Sequence, residues 1–211
     1  MPIASLRNFT VPIAGTQASP TQGLLMPKLK YRFRVTLDGF GVAGAPSTEL
    51  TKQVMNVTRP DVTFETITLP VYNSQVKILG KHSFADAKLV LRDDASGVVS
   101  RKVGEQLQKQ FDFFEQSGAA SGIDYKFRMR VEILDGGNGA FEPTSLESFE
   151  FLGCFVKKAA YQGGDYTNNE PMDIALTITY DNAIQLNRPG GDRAGLGQDV
   201  GRTVRTLALG G

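Results

Sequence analysis

The 211-residue chain has one cysteine, one histidine and no tryptophan. With Cys154 alone, no intrachain disulfide forms and no cysteine-based zinc site can be built within one chain. That usage suits a reducing compartment. With His82 alone, any Ser-His-Asp or Cys-His arrangement has a single candidate base, and nothing near it in sequence supplies a nucleophile or an orienting partner. The chain also lacks an excess of charge of either sign, with a formal net charge of +1. Proteins that grip nucleic acid through its phosphates carry a basic excess, so stable DNA wrapping is disfavoured. No apolar run approaches the roughly 18–20 residues of a membrane span. The start, Met1 to Pro12, lacks the basic and apolar regions of a signal peptide. The expectation is a soluble protein made in the cytoplasm, without cofactor or metal.

What is present is β-pattern. Hydrophobic residues are 41% of the chain, enough for one packed domain. Residues 1–27 carry Pro2, Pro12, Pro20 and Pro27 and read as an extended arm. Tyr31, Phe33, Val35 and Leu37 then alternate with Lys30, Arg32, Arg34 and Thr36 as a strand. Short β-prone runs follow at 54–58, 62–69 and 71–79, and Ala85, Ala87, Leu89 and Leu91 mark one face of the next strand. Val99, Val103, Leu107, Phe111 and Phe114 fall at steps of four, four, four and three, predicting one amphipathic helix. Asp93, Asp94 and Ser96 stand ready to cap it, and Gly118 and Gly122 to end it. Strands resume at 126–133, 148–156 and 173–180, and the glycine-rich stretch 187–211 reads as a flexible or partner-docked tail. The predicted class is α+β, mainly antiparallel β: a barrel or sandwich over 28–186 with one helix at its side and a protruding hairpin.

The motifs that could carry chemistry favour plain readings. Gly39 to Gly44 matches G-x-G-x-x-G after a strand, but Pro46 follows and no helix opens to hold a pyrophosphate. Asp93-Asp94 lacks the spacing of a calcium loop. Lys126, Arg128 and Arg130, like Lys30, Arg32 and Arg34, form charged strand faces whose alternating aromatics point the other way, to the core. Asn8-Phe9-Thr10 and Asn56-Val57-Thr58 match a glycosylation pattern that has no meaning without secretion.

The order of segments carries a resemblance. Phe64 to Asn73, then Val76 to Asp86 with its Gly80-Lys81-His82-Ser83-Phe84-Ala85-Asp86 run, then Leu89 to Asp94 and the helix, then Glu147 to Val156 and Asp173 to Asp181, together resemble the tail tube proteins of contractile-tailed bacteriophages. Phe155 stands where that family often has Trp, and the two termini look like additions. The resemblance implies homohexameric rings stacked into a hollow tube. Four strands per subunit join a continuous barrel, and the hairpin at Leu69, Pro70, Val71, Tyr72, Asn73, Ser74, Gln75 and Val76 reaches a neighbour. It further implies a surrounding tail sheath protein, baseplate and tail terminator proteins at the ends, and transient passage of double-stranded DNA. The place is the virion, with assembly in the host bacterial cytoplasm. Thr63, Glu65, Asp86 and Lys88 are the candidate lumen-facing positions. The alternatives are the tube of a type VI secretion or pyocin-like system, which shares the fold, and a ligand-binding β module, against which the missing tryptophan argues. An enzyme is disfavoured for want of an acid, base and nucleophile set.

Overall fold

The computed structural model describes residues 27–42, 48–136, 143–187 and 189–199. The described residues up to Arg32 and those from Phe33 onward belong to two separate units. In the first, the Arg32 N–H donates to the Leu29 carbonyl at 3.2 Å and its guanidinium lies over the Tyr31 ring.

The second unit runs β1 (Phe33–Asp38), α1 (Thr48–Gln53), β2 (Val54–Val57), β3 (Val62–Val71), β4 (Ser74–Phe84), β5 (Ala87–Arg92), α2 (Val98–Gln110), β6 (Phe111–Asp112), β7 (Ser117–Gly118), α3 (Gly122–Tyr125), β8 (Phe127–Leu134), β9 (Ser145–Tyr161), β10 (Asp173–Thr179) and β11 (Asn182–Leu186). All ladders are antiparallel. The architecture is α+β and mainly antiparallel β, and the sheets of the single chain are not closed into a barrel.

Strand β9 is long enough to serve two sheets. Its first half pairs with β8 and β11, and β8 pairs with β1. Its second half pairs with β10, which leads on to β5 and β2. The corner is Gly153, held at φ +68, a conformation open to glycine at little cost. The inward faces meet in one core. Val35, Leu37, Met129, Val131, Phe149 and Phe151 come from the first sheet, and Leu89, Leu91, Ile174, Leu176 and Ile178 from the second. Burying such side chains is the main favourable term, on the order of 1.5–3 kcal/mol each.

The outward face of the first sheet is held by ion pairs across strands. Arg34 grips Glu132 at 2.6 Å and Arg130 grips Glu150 at 2.6 Å, with both glutamates buried. The basic alternation at 34 and 130 is therefore spent on neutralising carboxylates within the sheet.

Helix α2 closes one side of the core through Val99 and Val103, with Leu107 half-buried against it. It ends sooner than the apolar stripe predicts. Phe111 is its C-cap at φ −151 and starts β6, and Phe114 is almost fully exposed, so neither belongs to the helix core face. The cause is Asp112, whose carboxylate accepts from the N–H groups of Phe114 and Glu115 and nucleates a turn. Gly118 and Gly122 consequently mark β7 and α3 rather than the helix end. At the other terminus the N-cap is Gly97, and Asp94 supplies the missing acceptor to the Val99 N–H at 2.9 Å.

Beyond β11 the chain doubles back. The Ala194 N–H donates to the Gln185 carbonyl, and the Gln185 N–H to the Leu196 carbonyl. The described part of the 187–211 tail thus adds a short extra edge beside β11.

Candidate assembly interface

Strands β2 and β3 together run antiparallel to β4 and β5 as one long hairpin from Val54 to Arg92. Bonds between Thr58 and Lys88, and from the Ala85 N–H to the Asp61 carbonyl, carry the pairing across the junction. Its base lies in the second sheet. Its distal part, β3 and β4, leaves that sheet and pairs with nothing else among the described residues.

One face of the distal hairpin is aliphatic. The register sets Ile67 opposite Ile78 and Leu69 opposite Val76, with Val71 next to the tip. All five are about half exposed. Alternation of this kind ordinarily points apolar residues at a core. Here no described part of the chain covers them, and both outer edges carry backbone groups without ladder partners. Pro70 and Gln75 lie on the other face, and Tyr72 and Asn73 form the two-residue tip. Tyr72 is fully exposed with φ 39, a backbone region that side chains other than glycine and asparagine seldom occupy.

The hairpin is rooted by a chain of tilted and edge-to-face ring contacts. Phe64 meets His82 at 6.3 Å, His82 meets Phe84 at 5.3 Å, Phe84 meets Tyr180 at 5.3 Å, and Tyr180 meets buried Phe151 at 4.8 Å. The single histidine is thus a packing element at the hairpin base.

The second sheet keeps its face away from the core open. Lys88 is exposed there, opposite Thr177, which lies opposite Lys158. Asp86 is tied to the Lys157 ammonium at 2.8 Å and the Thr179 hydroxyl at 2.7 Å. These bonds, Lys157 first and Thr179 second, hold its carboxyl below the ordinary range. Thr63 and Glu65 are exposed on β3, beyond this sheet. The candidate lumen residues therefore divide between two surfaces, the sheet and the hairpin. The sheet has two edges that no described strand covers, β2 at one side and the second half of β9 at the other, where the Gln110 side chain bonds both the N–H and the carbonyl of Val156. Sequence reasoning missed this second edge, because the strand pattern of β9 carries no sign of where its partners change.

Among the described residues, no three His, Cys, Asp or Glu side chains converge as metal ligands. In the described part of the Gly39–Gly44 run, the Gly41 N–H donates to buried Gln106, whose amide donates in turn to the Tyr125 carbonyl; the rest of the run lies outside the described residues. No described helix is long and apolar enough to cross a membrane.

No protein-family model matches the chain, and no curated protein matches it. Solved structures do. A chain of the anti-feeding prophage tube-terminating cap aligns with TM-score 0.56 and 16% identity, over 78% of this chain and 94% of that one. A chain of the sheath–tube complex of the PVC extracellular contractile injection system aligns with TM-score 0.54 and 15% identity, over 76% and 92%. A chain of the anti-feeding prophage baseplate gives 0.54 and 11%, over 78% and 98%. The chain shares its fold with chains of these contractile injection assemblies.

Proposed function

We propose that this protein is a structural subunit of the inner tube of a contractile tail, assembling into stacked homohexameric rings. The carrying observation is the distal hairpin, which exposes Ile67, Leu69, Val71, Val76 and Ile78 on one face and leaves two strand edges unpaired. A surface of this kind is an aggregation hazard unless other copies cover it. The second sheet supports ring closure. Its strands β9, β10, β5 and β2 alternate in direction, so β2 runs opposite to β9. A neighbour's β9 laid against β2 continues the antiparallel pattern, and a closed ring leaves no edge of that sheet open.

In this reading the hairpin at 69–76 reaches the next ring. A sheath surrounds the tube, baseplate and terminator proteins bound its ends, and double-stranded DNA passes through on ejection. The assembled tube is part of the virion and is built in the host bacterial cytoplasm. Asp86 and Lys88, on the open sheet face, look into the lumen, and Thr63 and Glu65 continue that lining onto the hairpin. Pairing of Asp86 with Lys157 and the net charge of +1 suit a conduit that does not hold its cargo. The second reading is a tube of a contractile injection system outside a virion. It is favoured by the anti-feeding prophage and PVC origin of the matching structures.

The test replaces Val71–Ser74 by a Gly-Ser turn. The subunit keeps its circular dichroism spectrum and loses tube formation. Unchanged tube yield from the variant counts against the proposal.

A further inference from the structure

The hairpin and the β9–β10 loop lie at opposite ends of the second sheet. At one end Ala87 of β5 pairs with Ile178 of β10, and the chain just before Ala87 is the hairpin. At the other end Arg92 pairs with Asp173, and there the loop 162–172 joins β9 to β10. Six paired residues separate the two, about 17 Å of strand.

That loop encloses an open cavity of about 430 Å³. Gly163 and Gly164 line it, with half-exposed Met172, fully exposed Tyr166, Asp165 and Glu170 around its mouth. A Cβ at 163 would meet nothing within 4 Å, and one at 164 would touch the Met172 methyl at 3.6 Å, so the open space lies at Gly163. The Met172 thioether, with the Tyr166 ring free to fold over it, suits an aromatic occupant. The charges match as well. Residues 66–81 carry Lys77 and Lys81 and no acid, whereas residues 162–172 carry Asp165 and Glu170 and no base.

We infer that the occupant is a second copy of this chain: the Tyr72 tip of one subunit seats in the 162–172 cavity of a subunit in the adjoining ring. This rests on the stacked-ring reading and names its contact. Because tip and cavity are different surfaces at opposite ends, the contact is head-to-tail and propagates without closing. It uses the fully exposed ring that the left-handed tip holds outward. Lys77, four residues along β4 from Asn73, is the cation nearest the tip and brings positive charge toward the acidic lining.

The test is a cysteine pair, Asn73→Cys with Gly163→Cys, in the full chain. Native Cys154 is buried and stays silent. Mild oxidation of assembled protein is expected to give a ladder of covalent multimers running past the hexamer on a non-reducing gel. A mixture of the two single variants is expected to stop at dimers. Tubes visible by electron microscopy without a ladder overturn the tip-to-cavity contact and leave the tube reading standing. Absence of both tubes and ladder, with wild-type protein also failing to assemble, overturns both.

Discussion

The Asp181 side chain occupies the space into which a Cβ on residue 153 would project. It is held there by Lys126 at 2.5 Å, and residue 153 is where β9 passes from one sheet to the other. The corner therefore depends on a missing side chain as much as on a positive φ.

Gly153→Ala forces both a left-handed alanine and a collision with Asp181. The expected loss is about 1–3 kcal/mol. A urea titration of the monomeric subunit measures it. A change below about 0.5 kcal/mol, the range of an ordinary surface substitution, would contradict the role of this corner.

Asp86 gives the chain an acid-sensitive contact. Its carboxyl is held below the ordinary 3.8 by the Lys157 hydrogen bond first and the Thr179 hydroxyl second. The folded state then binds this proton less readily than the unfolded state. The contribution is present above the ordinary value and is lost as pH falls through the lowered one. Its exposed partner keeps it to about 1 kcal/mol or less. Comparing urea midpoints of wild type and Asp86→Asn on acidification tests this. The two curves are expected to draw together as pH falls below the ordinary value and to meet below the lowered one. A constant offset at every pH refutes the assignment.

Cys154 is fully buried, its thiol donating to the Phe151 carbonyl at 3.4 Å, and burial pushes its pKa up to about 12. Reactivity belongs to the thiolate. A thiol reagent near neutral pH is expected to leave the folded chain unlabelled and to label one site per chain in denaturant. Rapid labelling of the folded protein would contradict the packing around β9.

The strands that alternate cleanly were legible in the sequence. Val35 and Leu37, Met129 and Val131, and Ile174, Leu176 and Ile178 all face the core as their period predicts. The helix was legible in its first three turns and misread at Phe111 and Phe114. Two phenylalanines at helical spacing look the same whether or not an intervening Asp112 folds a turn. The hairpin was legible as a β-prone run around a polar tip, but the outward aim of Ile67 and Ile78 was not. Periodicity assigns residues to faces and says nothing about which face the rest of the chain covers. The long-range pairs Arg34–Glu132 and Asp86–Lys157 depend on register between distant strands, which no local pattern encodes.

The proposed tube requires that further copies of the same chain cover the exposed strand edges and the aliphatic hairpin face. Negative-stain electron microscopy of the purified full-length protein, over a range of concentration and salt and with a baseplate nucleus added, tests it most directly. Rings or hollow tubes of uniform width are expected, with six subunits countable in end views. Small isolated particles under every one of those conditions would contradict it.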